Sequence, residues 1–270
     1  MPDTTSGLWN AGDVYRRIAL GTWVSATPET LTISATPVPS ATVTTYSGYI
    51  VFTFTSSGTL NVSDGAPGTA DVLMVAGGSS GATNPVSDAA NGGAGGKVYA
   101  VPGATITANS PIPIVVGGTA TASTVGPLSS ASGSPGGSGG GGAGSAFTAG
   151  SPGGSGPTND YQTGSNQNYS GGGGGGAFNH SPPLIGSPVG PQPGGAGGAT
   201  GGGPGGPSYA AFIGPLGAYG NGGSPGTNGT VNTGGGGGGK GAGTSYHPGT
   251  SGTGGSGIVV IRFPDSRFTT

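Results

Sequence analysis

Apolar and polar positions begin to alternate in the manner of β-strands at Tyr46. Ile50, Phe52 and Phe54 alternate with residues of the opposite face, which is the mark of a strand with one buried face. The uninterrupted apolar residues 72–76 indicate a central strand. The same patterns predict further strands at residues 60–62, 97–101, 112–116 and 258–263. The chain is therefore predicted to be mainly β.

The simplest architecture is a small antiparallel β-sandwich over residues 46–117, completed by residues 256–264. Residues 118–255 then form a large glycine-rich insertion between the penultimate and the last strand. Closing so long an insertion costs little more than closing a short one, because the cost grows only with the logarithm of length. Residues 25–45 are rich in Ser, Thr and Pro, and are predicted to be a semi-rigid connector with one strand at 30–34.

The insertion holds 51 of the 68 glycines and only two charged residues, Asp160 and Lys240. Such a composition is typical of disordered chains. The ordered alternative is extended left-handed helices with three residues per turn, which pack side by side and pair each other's N–H and C=O groups. Glycine disfavours α-helix and ordinary strands. The choice is thus between a disordered tether and a slab of polyglycine-II-like helices, built from glycine runs at 136–144, 171–176, 194–206 and 234–239.

Charged residues make up only 5% of the chain, and the formal net charge is −2. This balance gives no electrostatic basis for binding nucleic acid or an anionic membrane. The absence of cysteine excludes disulfides, a thiol nucleophile and a zinc–thiolate site. Neither a signal peptide nor an apolar run of roughly 18 residues, the length of a transmembrane helix, is found. We therefore expect a soluble protein without a classical export route.

Motifs that would carry enzyme chemistry are weak. Residues 234–240 resemble a phosphate-binding loop, but Gly241 follows Lys240 where the motif requires Ser or Thr. His180 and His247 lie far apart in the sequence without close acidic neighbours, and so predict no metal site and no general base. We therefore expect no catalytic residues, no cofactor and no metal, and a protein that is not an enzyme.

Residues 1–24 contain both tryptophans and the only pair of adjacent basic residues. A short helix is expected from its N-cap Asp13 to a point before Gly21. Aromatic and arginine side chains on a short segment suit a buried contact with another protein. The alternative is that Trp9 and Trp23 pack on the chain's own sheet. The residues predicted to dock are Leu8, Trp9, Val14, Tyr15, Arg16, Arg17 and Trp23.

Most aromatic residues of the insertion stand beside Asn, Ser and Gly in the segments between glycine runs. This is the composition of binding loops, in which Tyr supplies rigid contact area and small polar residues supply adaptable hydrogen bonds. Phe147, Phe178 and Phe212 are assigned to packing. The alternative for the tyrosines is that they cap the ends of the slab or pack at a subunit interface. The candidates for contact with a receptor are Tyr161, Tyr169, Tyr209, Tyr219, Tyr246 and His247.

Four segments resemble the glycine-rich domain of bacteriophage tail and other virion proteins. They are FTFTSSGTLNV at 52–62, ADVLMVAGG at 70–78, GGKVY at 95–99 and GGSGIVVIRF at 254–263. Residues 8–15, LWNAGDVY, are similar to short N-termini of phage proteins with this domain. The resemblance implies a virion component. Some glycine-rich phage adhesins present variable loops from a polyglycine slab to a host receptor.

The first hypothesis is a short tail-fibre or tail-tip adhesin, which docks on other virion proteins through residues 1–24 and contacts a host-surface protein or glycan through loops of the insertion. The second is a capsid decoration or head-fibre protein with the same fold and docking. The third is a polyglycine ice-binding or wall protein, against which the irregular loops with Pro and Tyr argue. Low charge and glycine-rich edges favour a homo-oligomer, and fibre symmetry suggests a trimer.

Overall fold

The computed structural model consists of β-strands and extended segments. The residues that it describes are 32–36, 41–63, 68–84, 88–107, 110–129, 140–144, 148–178, 192–208, 212–214, 217–219, 223–242 and 249–264. These residues contain no helix, and hence none long and apolar enough to cross a membrane. The strands are β1 (Thr32–Thr36), β2 (Ala41–Tyr46), β3 (Tyr49–Phe54), β4 (Gly58–Ser63), β5 (Gly68–Val75), β6 (Val98–Ile106), β7 (Ile112–Val115), β8 (Thr124–Val125), β9 (Leu128–Ser129), β10 (Thr158–Asn159), β11 (Gln167–Asn168), β12 (Phe212–Gly214), β13 (Gly217–Tyr219) and β14 (Ile258–Pro264).

Two five-stranded antiparallel sheets pack face to face as a sandwich. The first sheet has the strand order β1-β4-β7-β8-β9, and the second has the order β2-β3-β14-β5-β6. In the centre of the second sheet, Ile261 of β14 is paired with Phe52 of β3 on one side and with Val72 of β5 on the other. The prediction of a mainly-β, antiparallel fold is confirmed, and the strand that follows the glycine insertion closes the sandwich.

The main core lies between the two sheets. The first sheet contributes Leu60 and Ile114, and the second contributes Phe54, Met74 and Ile261, all of them fully buried. Because successive side chains of a strand point to opposite faces, the second sheet also has an apolar outer face. The cluster on this outer face consists of Val51, Leu73, Val75, Ile258 and Val260, with Tyr169 packed on it.

The boundaries of the sandwich differ from the predicted ones. The connector predicted over residues 25–45 contains β1 and β2, which are paired with β4 and β3 as members of the two sheets. Thr and Val favour strands, and here the neighbouring strands outweigh the loop-like composition. β8 and β9 extend the sandwich to Ser129, inside the predicted insertion. Within the range predicted for the sandwich, residues 76–82 and 89–96 belong instead to the glycine slab described next.

The glycine-rich residues form a slab of extended segments that hydrogen-bond to one another. Along residues 171–177, the N–H groups point in three directions that repeat every third residue, and each is donated to a carbonyl at an N–O distance of 2.8 to 3.3 Å. The segments that accept these bonds are 200–206, 151–154 and 90–93. The segments that donate to the carbonyls of 171–177 are 236–242, 195–198 and 141–144. Six neighbours and a three-residue repeat are the features of packed polyglycine-II helices, so the ordered alternative is the one observed.

Residues 234–242 are surrounded in the same way, and the pairing arranges the segments in three layers. The middle layer consists of segments 148–156, 171–177, 234–242 and 249–257. The outer layers are 192–198, 200–207 and 223–230 on one side, and 76–82, 89–96 and 140–144 on the other. Because the central segments satisfy their backbone groups through their neighbours, the slab needs no apolar core.

Glycine is required where segments touch, and proline occurs where they face outward. A Cβ atom at Gly174 would overlap the carbonyl oxygen of Gly195. In segments at the surface of the slab, including segment 148–156 at the edge of the middle layer, the backbone nitrogens that point away from every neighbour include those of the exposed Pro152, Pro204 and Pro225. Proline has no N–H group. These positions therefore leave no unpaired N–H donor at the surface. Prolines on the edge strands of sheets have the same effect.

The slab and the sandwich are joined end to end. β5 continues into segment 76–82, and segment 249–257 continues into β14. We call the end of the slab away from the sandwich the loop end, and the end of the sandwich away from the slab the base. Strand termini at the base include Thr32, Ser63, Gly68, Ile106 and Pro264.

Candidate functional site

Five connections lie at the loop end of the slab. The hydrogen-bonded pairs show which segment termini meet there: Gly176 accepts from Gly144 and donates to Ala90, and Ala177 accepts from Ala242. The connections between such termini are residues 83–89, 145–147, 179–191, 209–222 and 243–248. Loops that a rigid scaffold holds together at one end are a common arrangement in binding proteins. The loop end is therefore the candidate contact surface.

Several predicted receptor residues belong to these connections. Tyr219 ends β13, which pairs with β12 within the connection 209–222. Tyr209, Tyr246 and His247 lie outside the described residues, as do all seven predicted docking residues from Leu8 to Trp23. The four receptor candidates are distant in sequence, and the described segment termini that flank them, near Ser208, Gly223, Ala242 and Gly249, lie at the same end of the slab.

Tyr161 and Tyr169 lie at the opposite end of the slab, on a hairpin of residues 157–169 that includes β10 and β11. The hairpin folds back over the apolar outer face of the second sheet. Tyr169 is only 3% exposed, and its hydroxyl donates to Oε1 of Gln162 at 2.7 Å. The prediction that Tyr169 contacts a receptor is therefore wrong, because the sheet and the hairpin enclose its ring.

Arg262 of β14 ties the hairpin to the second sheet. Its Nε donates to Oδ2 of Asp71 at 2.9 Å, and its Nη1 donates to the hydroxyl of Tyr46 at 3.0 Å. The carboxylate of Asp160, on the hairpin, lies 3.4 Å from the same Nη1. Burial is the largest single influence and by itself would lower the pKa of Arg262. The hydrogen bonds to Tyr46 and Asp71, together with the charge interactions with Tyr46 and Asp160, outweigh burial and raise the pKa above its ordinary value.

Two tyrosine rings stack on this guanidinium. Its Cζ lies 4.5 Å from the ring centroid of Tyr49 and 4.0 Å from that of Tyr161, close enough for cation–π attraction. The hydroxyl of Tyr46 donates to the carbonyl oxygen of Tyr161 at 2.8 Å. The Tyr161 ring, predicted to contact a receptor, thus has Arg262 against one of its faces. We call Arg262, Asp71, Asp160, Tyr46, Tyr49 and Tyr161 the arginine cluster.

The buried hydroxyl of Tyr169 makes the stability of the hairpin depend on pH. Burial raises the pKa of Tyr169 from 10.0 to about 12, and Tyr46 adds to this effect. A raised folded-state pKa contributes stability that is present below pH 10.0 and is lost as pH rises toward 12. We expect the unfolding free energy to fall through this window by up to about 1.4 kcal/mol per pH unit more in the native chain than in Tyr169→Phe. Denaturant titrations at several pH values measure this difference, and equal slopes in the two proteins would contradict it.

The described residues show no built site for metal or phosphate chemistry. Among them, no group of three or more His, Cys, Asp or Glu side chains is placed to hold a metal ion. In the stretch 234–240, the N–H groups of Gly236, Gly237 and Gly238 are already donated to carbonyls of other segments. A phosphate loop needs such donors for its ligand. Lys240 is buried, which lowers its pKa although Asp88 acts in the opposite direction. This stretch therefore serves as scaffold.

The fold and the loop end define a class of protein, a β-sandwich that carries a polyglycine slab with connections at its far end. The chain belongs to the glycine-rich domain family, which it matches over residues 54–264. The match runs from the last residue of β3 to the last residue of β14, and so it includes the described segments of the slab. No curated protein matches the chain.

The arginine cluster has no signature in the local sequence pattern. Tyr46 and Arg262 are separated by 216 positions, and no local pattern joins them. One signal was nevertheless present, because Arg262 is the only charged residue of an otherwise apolar strand and Asp71 precedes another apolar run. Buried charges require partners. The two residues are directly opposed in the pairing of β14 with β5.

Proposed function

We propose that this protein is a non-enzymatic component of a bacteriophage virion, a tail-fibre or tail-tip adhesin. It docks on other virion proteins through its N-terminal residues, and it contacts a protein or glycan of the host surface through the connections at the loop end. The observation that supports this proposal is that the two ends of the molecule differ. β1 begins at the base, and the segment termini that carry the five connections lie at the opposite end.

The base is where the N-terminal residues join the body. β1 begins at Thr32, which is paired with Ser63. Residues 1–31, with both tryptophans and the arginine pair, are therefore attached at the pole that faces away from the loop end. A docking segment at one pole and contact loops at the other is the geometry that an adhesin needs.

The slab supports the proposal through its rigidity. In segment 171–177, every N–H and every C=O group is paired with a neighbouring segment. The positions of the segment termini from which the connections leave are thus set by backbone pairing. Presenting loops from a rigid support also reduces the ordering cost of binding. The resemblance of segments such as 254–263 to phage virion proteins agrees with this role.

Cryo-electron microscopy of intact particles tests the position and orientation. Density at the tail, with the base against the particle and the loop end outward, is the expected result. The same orientation repeated over the capsid lattice would instead identify a capsid decoration or head-fibre protein, the second candidate that this difference between the two ends favours. Density with the loop end buried against the particle would overturn both.

Substitution tests the contact surface separately. Replacing Tyr209, Tyr219, Tyr246 and His247 by alanine is expected to reduce attachment of particles to host cells without lowering the melting temperature. The matched control is Tyr99→Ala, which removes a tyrosine that is 44% exposed on β6 of the sandwich. Attachment that is unchanged in the quadruple variant would count against contact through the loop end.

The docking segment and the oligomeric state have their own test. Deleting residues 1–24 is expected to leave a folded, β-rich protein that no longer joins the particle, because the deletion ends before β1. Light scattering of the purified protein measures whether it forms the proposed homotrimer. Particles that still incorporate the shortened protein would overturn docking through this segment.

A further inference from the structure

An apolar groove opens at the base, between the two sheets. It lies where β6 and β9, the last strands of their sheets, leave the sandwich open on one side. Its volume is about 450 Å³, and none of the described residues that line it is charged. The half-buried Val101, Ile112 and Leu128 line it together with prolines and the exposed Ser110. The groove thus suits a flat apolar group that carries one hydrogen-bond donor.

We propose that the indole of Trp23 of the same chain fills this groove. Tryptophan combines a large apolar ring with a single N–H donor, and it buries about 150–250 Å² when it is enclosed. The indole ring stacks on the prolines, and its N–H donates to a hydroxyl at the groove. Residues 18–28 contain no charge, so the segment around Trp23 enters an uncharged site without an unpaired ion.

The chain length allows this placement. β1 and β7 both pair with β4, so Thr32 and Ile112 are separated by two strand spacings, about 10 Å, and by three residues along β4, about another 10 Å, which places them about 14 Å apart. Nine residues lead from Trp23 to Thr32, and an extended chain of this length spans up to about 30 Å. Trp23 is the aromatic residue nearest to β1 on its N-terminal side.

Other segments that begin near the groove fit it less well. Residues 130–139, which follow β9, contain only Ser, Ala, Gly and Pro. Residues 265–270, which follow β14 at the base, carry Phe268 directly after Arg267 and close to Asp265. Placing Phe268 in the groove would bring two charged groups to a lining that has no partner for them.

This inference does not depend on the proposed function, because it concerns the isolated chain. It assigns Trp23 to the body of the protein rather than to an external partner. Trp9, Arg16 and Arg17 then remain for docking, on a segment that is anchored at the base.

Tryptophan fluorescence of the full-length protein tests the proposal, since the chain has only two tryptophans. In Trp9→Phe the emission comes from Trp23 alone, and in Trp23→Phe it comes from Trp9 alone. We expect Trp23 to emit at shorter wavelength than Trp9 and to be quenched severalfold less by acrylamide. The difference should hold over a wide range of protein concentration, because Trp23 is bound within its own chain.

Groove variants made on the Trp9→Phe background locate the binding site. Ser110→Arg changes an exposed residue that lines the groove, and Leu128→Asp changes a half-buried one. Both are expected to raise the quenching of Trp23 to the level of Trp9. Val115→Asp is the control, because Val115 is 44% exposed on β7 and does not line the groove. Circular dichroism confirms folding, and Ser110→Arg keeps the test valid if Leu128→Asp fails to fold.

Four results would overturn the proposal. The first is that Trp23 is as accessible to acrylamide as Trp9, and the second is that the protection of Trp23 survives both groove variants. The third is that protection appears only at high protein concentration, which would indicate a second copy as the source of the indole. Finally, removing residues 265–270 would abolish the protection, which would make the C-terminal residues the cover of this site.

Discussion

Gly174→Ala is expected to disrupt the slab as a unit and to lower the unfolding free energy by about 3 kcal/mol or more. Gly174 lies in the central segment 171–177, which is surrounded by six others. The new Cβ would overlap the carbonyl oxygen of Gly195. Segment 195–198 cannot simply move away, because Gly195 donates its N–H to Gly175 and accepts from Gly205. Relieving the overlap would therefore break several hydrogen bonds together.

Denaturant unfolding and amide hydrogen exchange measure this effect. The control is Gly68→Ala at the start of β5, where a Cβ would meet no atom within 4 Å and φ is not in the left-handed region. The control should change the unfolding free energy by less than about 0.5 kcal/mol. In Gly174→Ala, the amides of 171–177 should lose their protection. Similar stability of the two variants would show that the central segment is not enclosed.

Arg262→Met is expected to release the hairpin and to lower the unfolding free energy by about 3 kcal/mol. The guanidinium side chain is only 11% exposed, and its removal leaves Asp71, at 21% exposure, without its partner at 2.9 Å. The substitution also removes the guanidinium that contacts the rings of Tyr49 and Tyr161. With the hairpin released, the apolar outer face of the second sheet would be exposed to water.

Limited proteolysis within the exposed hairpin residues 163–167 measures the release directly, beside thermal unfolding. Arg262→Lys should be intermediate, because lysine keeps the charge but lacks the planar group that hydrogen-bonds and stacks at once. Lys97→Met is the control that removes a positive charge outside the arginine cluster. The protease should cut this variant no faster than the native chain. If Arg262→Met were also cut at the native rate, the cluster would not be what holds the hairpin.

The sandwich core could be predicted from the sequence because its signal is local. Two local patterns indicate which residues are buried, independently of the strands they pair with. They are the alternation at Ile50, Phe52 and Phe54 and the apolar run 72–76. β2 was missed, and β1 was predicted only as a single strand at 30–34 within the connector, because Thr and Ser occur in both loops and strands. Their assignment depended on pairing with β4 and β3, which composition does not show.

The slab was predicted as one of two alternatives, and its layout was not predicted. A periodic signal existed in the outer segments, where Pro204 and Pro207 follow each other at the three-residue repeat of the helix. It indicates which positions face outward, yet it does not say which segments are neighbours. Glycine has no side chain to distinguish one partner from another, so only the three-dimensional pairing shows that 171–177 and 234–242 are central.

The candidate site was likewise predicted only in part from the sequence. The composition of the insertion indicated loops with tyrosines, and the slab brings the connections of Tyr219 and Tyr246 to one end. Composition did not distinguish these from Tyr161 and Tyr169, which lie in a similar sequence context but are packed by a hairpin that folds back on the sandwich.

By itself, the sequence determined the mainly-β fold, the closing role of β14 and the condition that an ordered insertion must pack through its backbone alone. These follow from side-chain periodicity and from the absence of side chains, both of which are local properties. Only the tertiary structure decided the order of the slab segments, the burial of Tyr169 and the pairing of Arg262 with Asp71. The physical reason is that hydrogen bonds between distant backbones and the desolvation of a charge depend on which surfaces meet in the folded chain.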